Sequence, residues 1–221
     1  MPQRSTRAVI WDMDGVLADT APYHFAAWQT FWQKRGIPFT DEDFKHTFGL
    51  RNDGIIRYVL KRVITPAETD EMAKEKEDSF RKLAKGKIQP LPGAVSLVKR
   101  LDKAGFKTAL ASSTPVENIR LVLTSLGIDG CFQAIVSGDE VAEGKPSPQS
   151  FLLAAEKLGV RPADCIVIED AVAGVTAAKR ARMRCLAVTN THPRDSLAEA
   201  DLIVASLEEV TVRDLKQLLV S

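Results

Sequence analysis

Asp12 and Asp14 stand one residue apart in Asp12-Met13-Asp14-Gly15-Val16-Leu17-Ala18-Asp19-Thr20, directly after the apolar run Ala8-Val9-Ile10-Trp11. Two carboxylates this close raise each other's pKa unless a cation or unlike surroundings separate them, so the pair points to a metal site or to acid–base chemistry. Gly15 would let the chain turn sharply and bring backbone near whatever the carboxylates hold. An ordinary solvated turn uses the same residue types. A calcium loop also begins Asp-x-Asp, but it needs Gly at its sixth position and a bidentate acid at its twelfth. Counted from Asp12 those positions hold Leu17 and Tyr23, which excludes it.

Other chemistry-bearing residues follow apolar runs in the same manner. Ser112 and Ser113 come after Thr108 to Ala111, Lys145 lies beyond Ala134 to Val136, and Glu169 and Asp170 end the run from Cys165 to Ile168. Each has a plain reading alone: Ser112 as a helix cap, Lys145 as a surface lysine, Glu169-Asp170 as acids favoured at a helix start. If the runs are parallel strands, however, their C-terminal ends share the edge where open α/β sheets bind ligands, and the side chains can converge there. Three acids suit a hard cation, magnesium foremost. A hydroxyl, a lysine and helix N-termini suit a phosphate. With a carboxylate nucleophile added, the set describes phosphoryl transfer through an aspartyl-phosphate. Magnesium and Lys145 would screen the repulsion between anionic Asp and anionic phosphate, and the second Asp would handle the proton.

The elements that must position these residues alternate strand and helix from Pro92 onward, the pattern of an α/β, doubly wound (Rossmann-like) parallel sheet. Further strands are expected at Cys185 to Val188 and Leu202 to Val204, with a terminal helix from Val212 to Val220. Thr114 is expected to cap a helix, with Pro115 at its first position and Glu117 completing a capping box; Ser147 ahead of Pro148 is expected to cap the next. Between Asp19 and about Lys87 the chain reads as helices without a strand, too long for one crossover, hence an inserted helical unit. Phe25, Trp28, Phe31 and Trp32 form a packed stripe on its first helix, from Ala21 to Arg35, and Thr40 to His46 reads as a short acidic helix. Ile55, Ile56, Val59, Leu60, Val63 and Ile64 recur at helical spacing up to Thr65-Pro66, and Pro66 to Lys85 reads as a solvated helix.

The 221 residues, 45% of them hydrophobic, can bury one good core and a second small one. Thirty basic against 29 acidic residues leave no global field to attract nucleic acid or an anionic membrane. Cys131, Cys165 and Cys185 read as free thiols of a reducing cytoplasm. Met1 to Arg7 leads into too few apolar residues for a signal peptide, and no stretch approaches a membrane span. A monomer whose partner is a small phosphorylated metabolite is expected.

The stretch from Asp12 to Thr20, the hydroxyl at Ser112, the lysine in Gly144-Lys145-Pro146, and Glu169-Asp170 ahead of Ala171-Val172-Ala173-Gly174 resemble, in order, the four motifs of the haloacid dehalogenase-like hydrolases. The resemblance implies Asp12 as nucleophile and Asp14 as general acid/base. It implies magnesium on the Asp12 carboxylate, the Asp14 carbonyl and Asp170, with Glu169 in support. Ser112, with Ser113 beside it, and Lys145 would grip the transferred phosphate. The dehalogenases lack the second Asp, so Asp14 implies phosphate chemistry. The insertion resembles the helical cap of the β-phosphoglucomutase and sugar-phosphatase branch, which divides the chain into a core of 1–18 and 88–221 and a cap of 19–87. Asp19 to Trp28 is similar to the β-phosphoglucomutases, which use a His at the place of His24 to couple substrate binding to cap closure; Lys76 lies where they keep a cap lysine. Arg51 in Gly49-Leu50-Arg51-Asn52-Asp53-Gly54 could hold a second phosphate.

Pro115 departs from the mutase pattern, which carries Lys-Asn after the corresponding hydroxyls, and the segment around Arg51 lacks an expected serine. A magnesium-dependent phosphatase of small phosphorylated metabolites, sugar phosphates foremost, is therefore expected, with β-phosphoglucomutase as the alternative. A phospho-accepting receiver domain is a third reading; its acceptor would be Asp139 in Val136-Ser137-Gly138-Asp139.

Overall fold

The computed structural model describes residues 6–220, so the reading of Met1 to Ser5 lies outside the described residues. In chain order the elements are β1 (Ala8–Trp11), α1 (Ala21–Gln33), α2 (Asp41–Thr47), α3 (Asn52–Leu60), α4 (Pro66–Ala84), α5 (Ala94–Lys103), β2 (Lys107–Ala111) and α6 (Val116–Leu126). There follow β3 (Ala134–Val136), α7 (Gln149–Leu158), β4 (Cys165–Glu169), α8 (Val172–Arg180), β5 (Arg184–Val188), β6 (Leu202–Val204) and α9 (Val212–Leu218). The strands pair in parallel in the order β3-β2-β1-β4-β5-β6, which is the doubly wound α/β sheet expected.

β1 lies in the middle, Trp11 in register with Leu110 of β2 and Ile168 of β4. Its residues are apolar without interruption because both faces are covered. Val9 and Trp11 join Leu97, Leu101, Ile119 and Leu215 from α5, α6 and α9. Ala8 and Ile10 turn to the other side and join Phe151, Ala155, Val175 and Ala178 from α7 and α8. Period-two alternation thus feeds two helical layers from one strand. Among the described residues no helix is long and apolar enough to cross a membrane.

Helices α1 to α4 carry a packing centre of their own, in which Trp28, Phe31, Trp32, Phe39, Ile55 and Ile56 are buried together, so the aromatic stripe of α1 is a core face. The chain leaves the sheet for these helices and returns to it through neighbouring segments, bridged at Ala18 and Pro90, with Asp19 N–H donating to Gln89 O at 3.2 Å and Leu91 N–H to Leu17 O at 3.0 Å.

Four local expectations need correction. α3 stops at Leu60 rather than Thr65-Pro66, because Lys61 takes a left-handed conformation (φ 50°); Val63 beyond it is 93% exposed. Thr65 instead starts α4: its hydroxyl accepts from Glu68 N–H at 3.2 Å and its own N–H donates to the Glu68 carboxylate at 2.9 Å. α4 is not a solvated helix throughout, since Lys76, Glu77, Phe80 and Ala84 are buried. Finally, Thr114 and Ser147 cap nothing: α6 and α7 begin one residue later, with Pro115 and Pro148 at the cap positions. The Val116 N–H is met from outside by Asp139 Oδ2 at 3.3 Å, which leaves the Thr114 hydroxyl free to bond Ser112 Oγ at 2.9 Å.

Candidate active site

The C-terminal ends of β1 and β4 bring Asp12, Glu169 and Asp170 together, and Lys145 reaches in from the loop before α7. Asp12 N–H donates to Ile168 O at 3.0 Å, which sets the Asp12 side chain against the end of β4. Lys145 Nζ, buried, donates to Asp12 Oδ1 and, at 2.5 Å, to Glu169 Oε1. The other Glu169 oxygen accepts the backbone N–H groups of Asp170 at 2.8 Å and Ala171 at 2.9 Å. Asp170 Oδ2 accepts from the Thr191 hydroxyl at 2.5 Å. Glycines make room for this packing: a Cβ on Gly15, where φ is +82°, would collide with Asp170 Oδ2, and one on Gly174 with the Glu169 carboxylate.

Ligand atoms of Asp12, Glu169 and Asp170 lie within 4.8 Å of one another. Burial first, then Glu169 and Asp14, pushes the Asp12 carboxyl up to about 8 although Lys145 pulls the other way. Asp170 is raised for the same reasons, burial and then the Glu169 and Asp12 charges. Burial alone would lower Lys145, but the Asp12 and Glu169 charges outweigh it and hold the ammonium above the ordinary lysine range. Three carboxylates stand against one lysine, which bonds two of them, so the cluster is short of positive charge, and its all-oxygen donor set fits a hard divalent cation. Glu169 is bonded at both oxygens, which suits support rather than direct ligation.

Asp14 points the other way, toward the cap. The Thr20 hydroxyl donates to its Oδ1 at 2.6 Å, and His24 Nε2 faces the same oxygen at 3.4 Å. Burial alone would raise Asp14; His24, the Thr20 bond and the Lys76 charge together hold it below the ordinary range. His24 stacks on Phe80, ring centroids 3.8 Å apart, and Lys76 Nζ sits 2.7 Å from His24 Nδ1. The ring nitrogen turned toward Asp14 is Nε2. That Nε2 is buried without a hydrogen-bond partner.

A cavity between core and cap is lined by Asp12, Asp14, His24, Asn52, Lys76, Glu77, Ser113 and Thr114, with Trp28, Phe44, Phe48 and Leu50 among its apolar walls. Ser113 Oγ crosses the seam to donate to Gly49 O at 3.0 Å. Ser112 lies just beneath, buried and tied to Thr114. Arg51 is not brought into this group: its guanidinium donates to Val141 O at 2.5 Å and pairs with Asp53 at 3.3 Å, in a separate cleft of the outer surface. Asp139, the receiver-type candidate, sits at the start of α6, outside the cavity.

Sequence reasoning passed over Thr20, Thr191, Glu77, Asn52 and Asn118. Thr20 stood inside the first acidic stretch and was legible there. Nothing local marks Glu77, one acid among many in α4, until the helix is seen to bury that face.

A family model described as haloacid dehalogenase-like hydrolase matches residues 6–182. The chain is 36% identical over 214 residues to the β-phosphoglucomutase of Bacillus subtilis (strain 168), covering 93% of this chain and 92% of that one. It is 32% identical over 218 residues to hexitol phosphatase B of Escherichia coli (strain K12), covering 96% and 97%. Its fold superposes on the crystal structure of β-phosphoglucomutase from Clostridium difficile with a TM-score of 0.87, at 30% identity over 97% of each chain.

Proposed function

This chain belongs to the haloacid dehalogenase-like hydrolase family, and on that premise we propose that it is a magnesium-dependent phosphatase of small phosphorylated metabolites, sugar phosphates foremost. The observation that carries the reading is the buried Asp12 carboxylate at the end of β1, against Lys145, with Asp14 two residues on and turned into the same cavity.

In this reading the bound phosphate anion raises the neighbouring Asp14 carboxyl from its low resting value so that it carries a proton; Asp12 attacks phosphorus, the P–O bond to the metabolite breaks, and Asp14 delivers that proton to the departing oxygen. Water then attacks the phosphoaspartate, Asp14 takes its proton, and phosphate leaves with Asp12 regenerated. Lys145 stays on Asp12 and on the phosphate oxygens throughout, where its fixed charge offsets the approach of two anions. Ser112 and Ser113 hold the equatorial oxygens. A magnesium ion on Asp12, Asp170 and the Asp14 carbonyl, backed by Glu169, would supply the positive charge that this carboxylate cluster lacks. The second Asp separates this chemistry from dehalogenation.

The His24–Lys76 contact and the likeness to β-phosphoglucomutases favour mutase as the second reading. Incubation with β-glucose 1-phosphate, glucose 1,6-bisphosphate and magnesium separates the two. Release of inorganic phosphate supports the phosphatase; glucose 6-phosphate accumulating without it replaces the phosphatase with the mutase. Family membership sets the receiver reading aside.

A further inference from the structure

Beyond Asp14, His24 and Lys76 the cavity wall is completed by Glu77, whose side chain is 3% exposed. Its Oε1 accepts from Lys76 Nζ at 3.0 Å and Asn52 Nδ2 at 2.9 Å, and its Oε2 from Asn118 Nδ2 at 2.6 Å. Asn118 is fixed in turn by Arg81, 2.9 Å away. The carboxylate therefore joins α3, α4 and α6 at the place where cap meets core. Balanced by Lys76 and by these donors, it stays ionised, its pKa held down to about 2 in spite of burial.

Among the described residues Lys76 is the lysine or arginine that lines this cavity, and Glu77 already neutralises it. Arg51, in the separate cleft outside, bonds Val141 O and pairs with Asp53. A second phosphate on the substrate would bring charge that, among the described residues, no unpaired cation of the cavity wall meets, and acceptor oxygens toward a wall that presents an acceptor. A hydroxyl does the reverse. An ionised carboxylate has about four acceptor positions, and three protein donors meet Glu77, which leaves Oε2 able to accept one more bond where the side chain lines the cavity.

Resting on the phosphatase reading above, we propose that Glu77 determines the substrate class: it accepts a hydroxyl of a singly phosphorylated sugar or polyol and excludes a compound carrying a second phosphate at that end.

The test compares kcat/KM, by phosphate release with magnesium present, for glucose 1-phosphate, sorbitol 6-phosphate and glucose 1,6-bisphosphate. The unmodified chain is expected to favour the monophosphates by roughly tenfold or more, the scale of like-charge rejection in a closed site. E77Q, which removes the charge and keeps the shape, is expected to shift the ratio toward the bisphosphate by about tenfold. N52S, which withdraws one donor and leaves the Glu77 charge less compensated, should move the ratio the opposite way and serves if E77Q does not fold. Equal use of mono- and bisphosphate by the unmodified chain overturns the proposal, as does a ratio unmoved in the folded variants. Release from none of these compounds, nor from p-nitrophenyl phosphate, overturns the phosphatase reading together with it; release with an unmoved ratio overturns the assignment of Glu77 alone.

Discussion

Two buried lysine–carboxylate clusters face the same cavity and behave in opposite ways. In the core, Lys145 is shared by Asp12 and Glu169 with Asp170 close by, and the Asp12 carboxyl is pushed up to about 8. In the cap, Lys76 serves Glu77, two asparagine amides add their donors, and Glu77 is held down to about 2. Burial opposes ionisation in both. The difference is the ratio of positive charge and N–H donors to carboxylates: the cap cluster is satisfied by the protein itself, whereas the core cluster has a surplus of acids. A satisfied cluster can shape a wall. One with surplus acid suits a cation and, in the function proposed above, a carboxylate that reacts.

The largest expected effect breaks the core side. On the proposed mechanism D12N should lower turnover of a sugar phosphate by about 10⁴-fold or more, since it replaces the carboxylate proposed to attack, with the circular dichroism spectrum unchanged. A loss under tenfold would move the nucleophile elsewhere. Next, chelation should abolish phosphate release and added magnesium restore it, while D170N should raise the magnesium needed for half-maximal rate by roughly 10- to 100-fold. Activity indifferent to chelator would contradict the surplus-acid account.

On the cap side the effects are smaller. K76A and H24A should each cost roughly tenfold to a hundredfold in kcat/KM for a sugar phosphate, read by steady-state kinetics, because they loosen Asp14 without removing the nucleophile. Glu77 supplies a pH signature. Its folded-state pKa is depressed, so its contribution to stability is present above about 4.5 and is lost as pH falls toward about 2. Thermal melts of unmodified protein and E77Q should therefore converge over that window; parallel curves would show that the carboxylate is not ionised in the fold. The smallest effect is T65A, which removes the cap of α4 and should cost about 1 kcal/mol in denaturant unfolding.

Much of the core cluster was legible in the chain. Asp12, Glu169 and Asp170 stand at the ends of apolar runs and Lys145 lies in the loop beyond another, and parallel strands place such positions at one edge. The cap cluster was legible only at His24 and Lys76, through resemblance. Glu77, Asn52 and Asn118 stand on three helices, two in the cap and one in the core, and only the docking of cap on core joins them. The helix starts at Thr114 and Ser147 went astray for a related reason. A hydroxyl ahead of proline has the composition of a cap, but Thr114 has Ser112 as a partner, and Asp139, distant in sequence, meets the Val116 N–H at the helix start.

The amino-acid order alone determined the α/β alternation, the helical insertion and the succession of acids, hydroxyls and lysine, because hydrophobic period and turn chemistry act over a few residues. Tertiary structure decided which carboxylate carries too much negative charge and which is balanced. Burial and neighbouring charge set that outcome, and both depend on chain segments that meet only in the folded state.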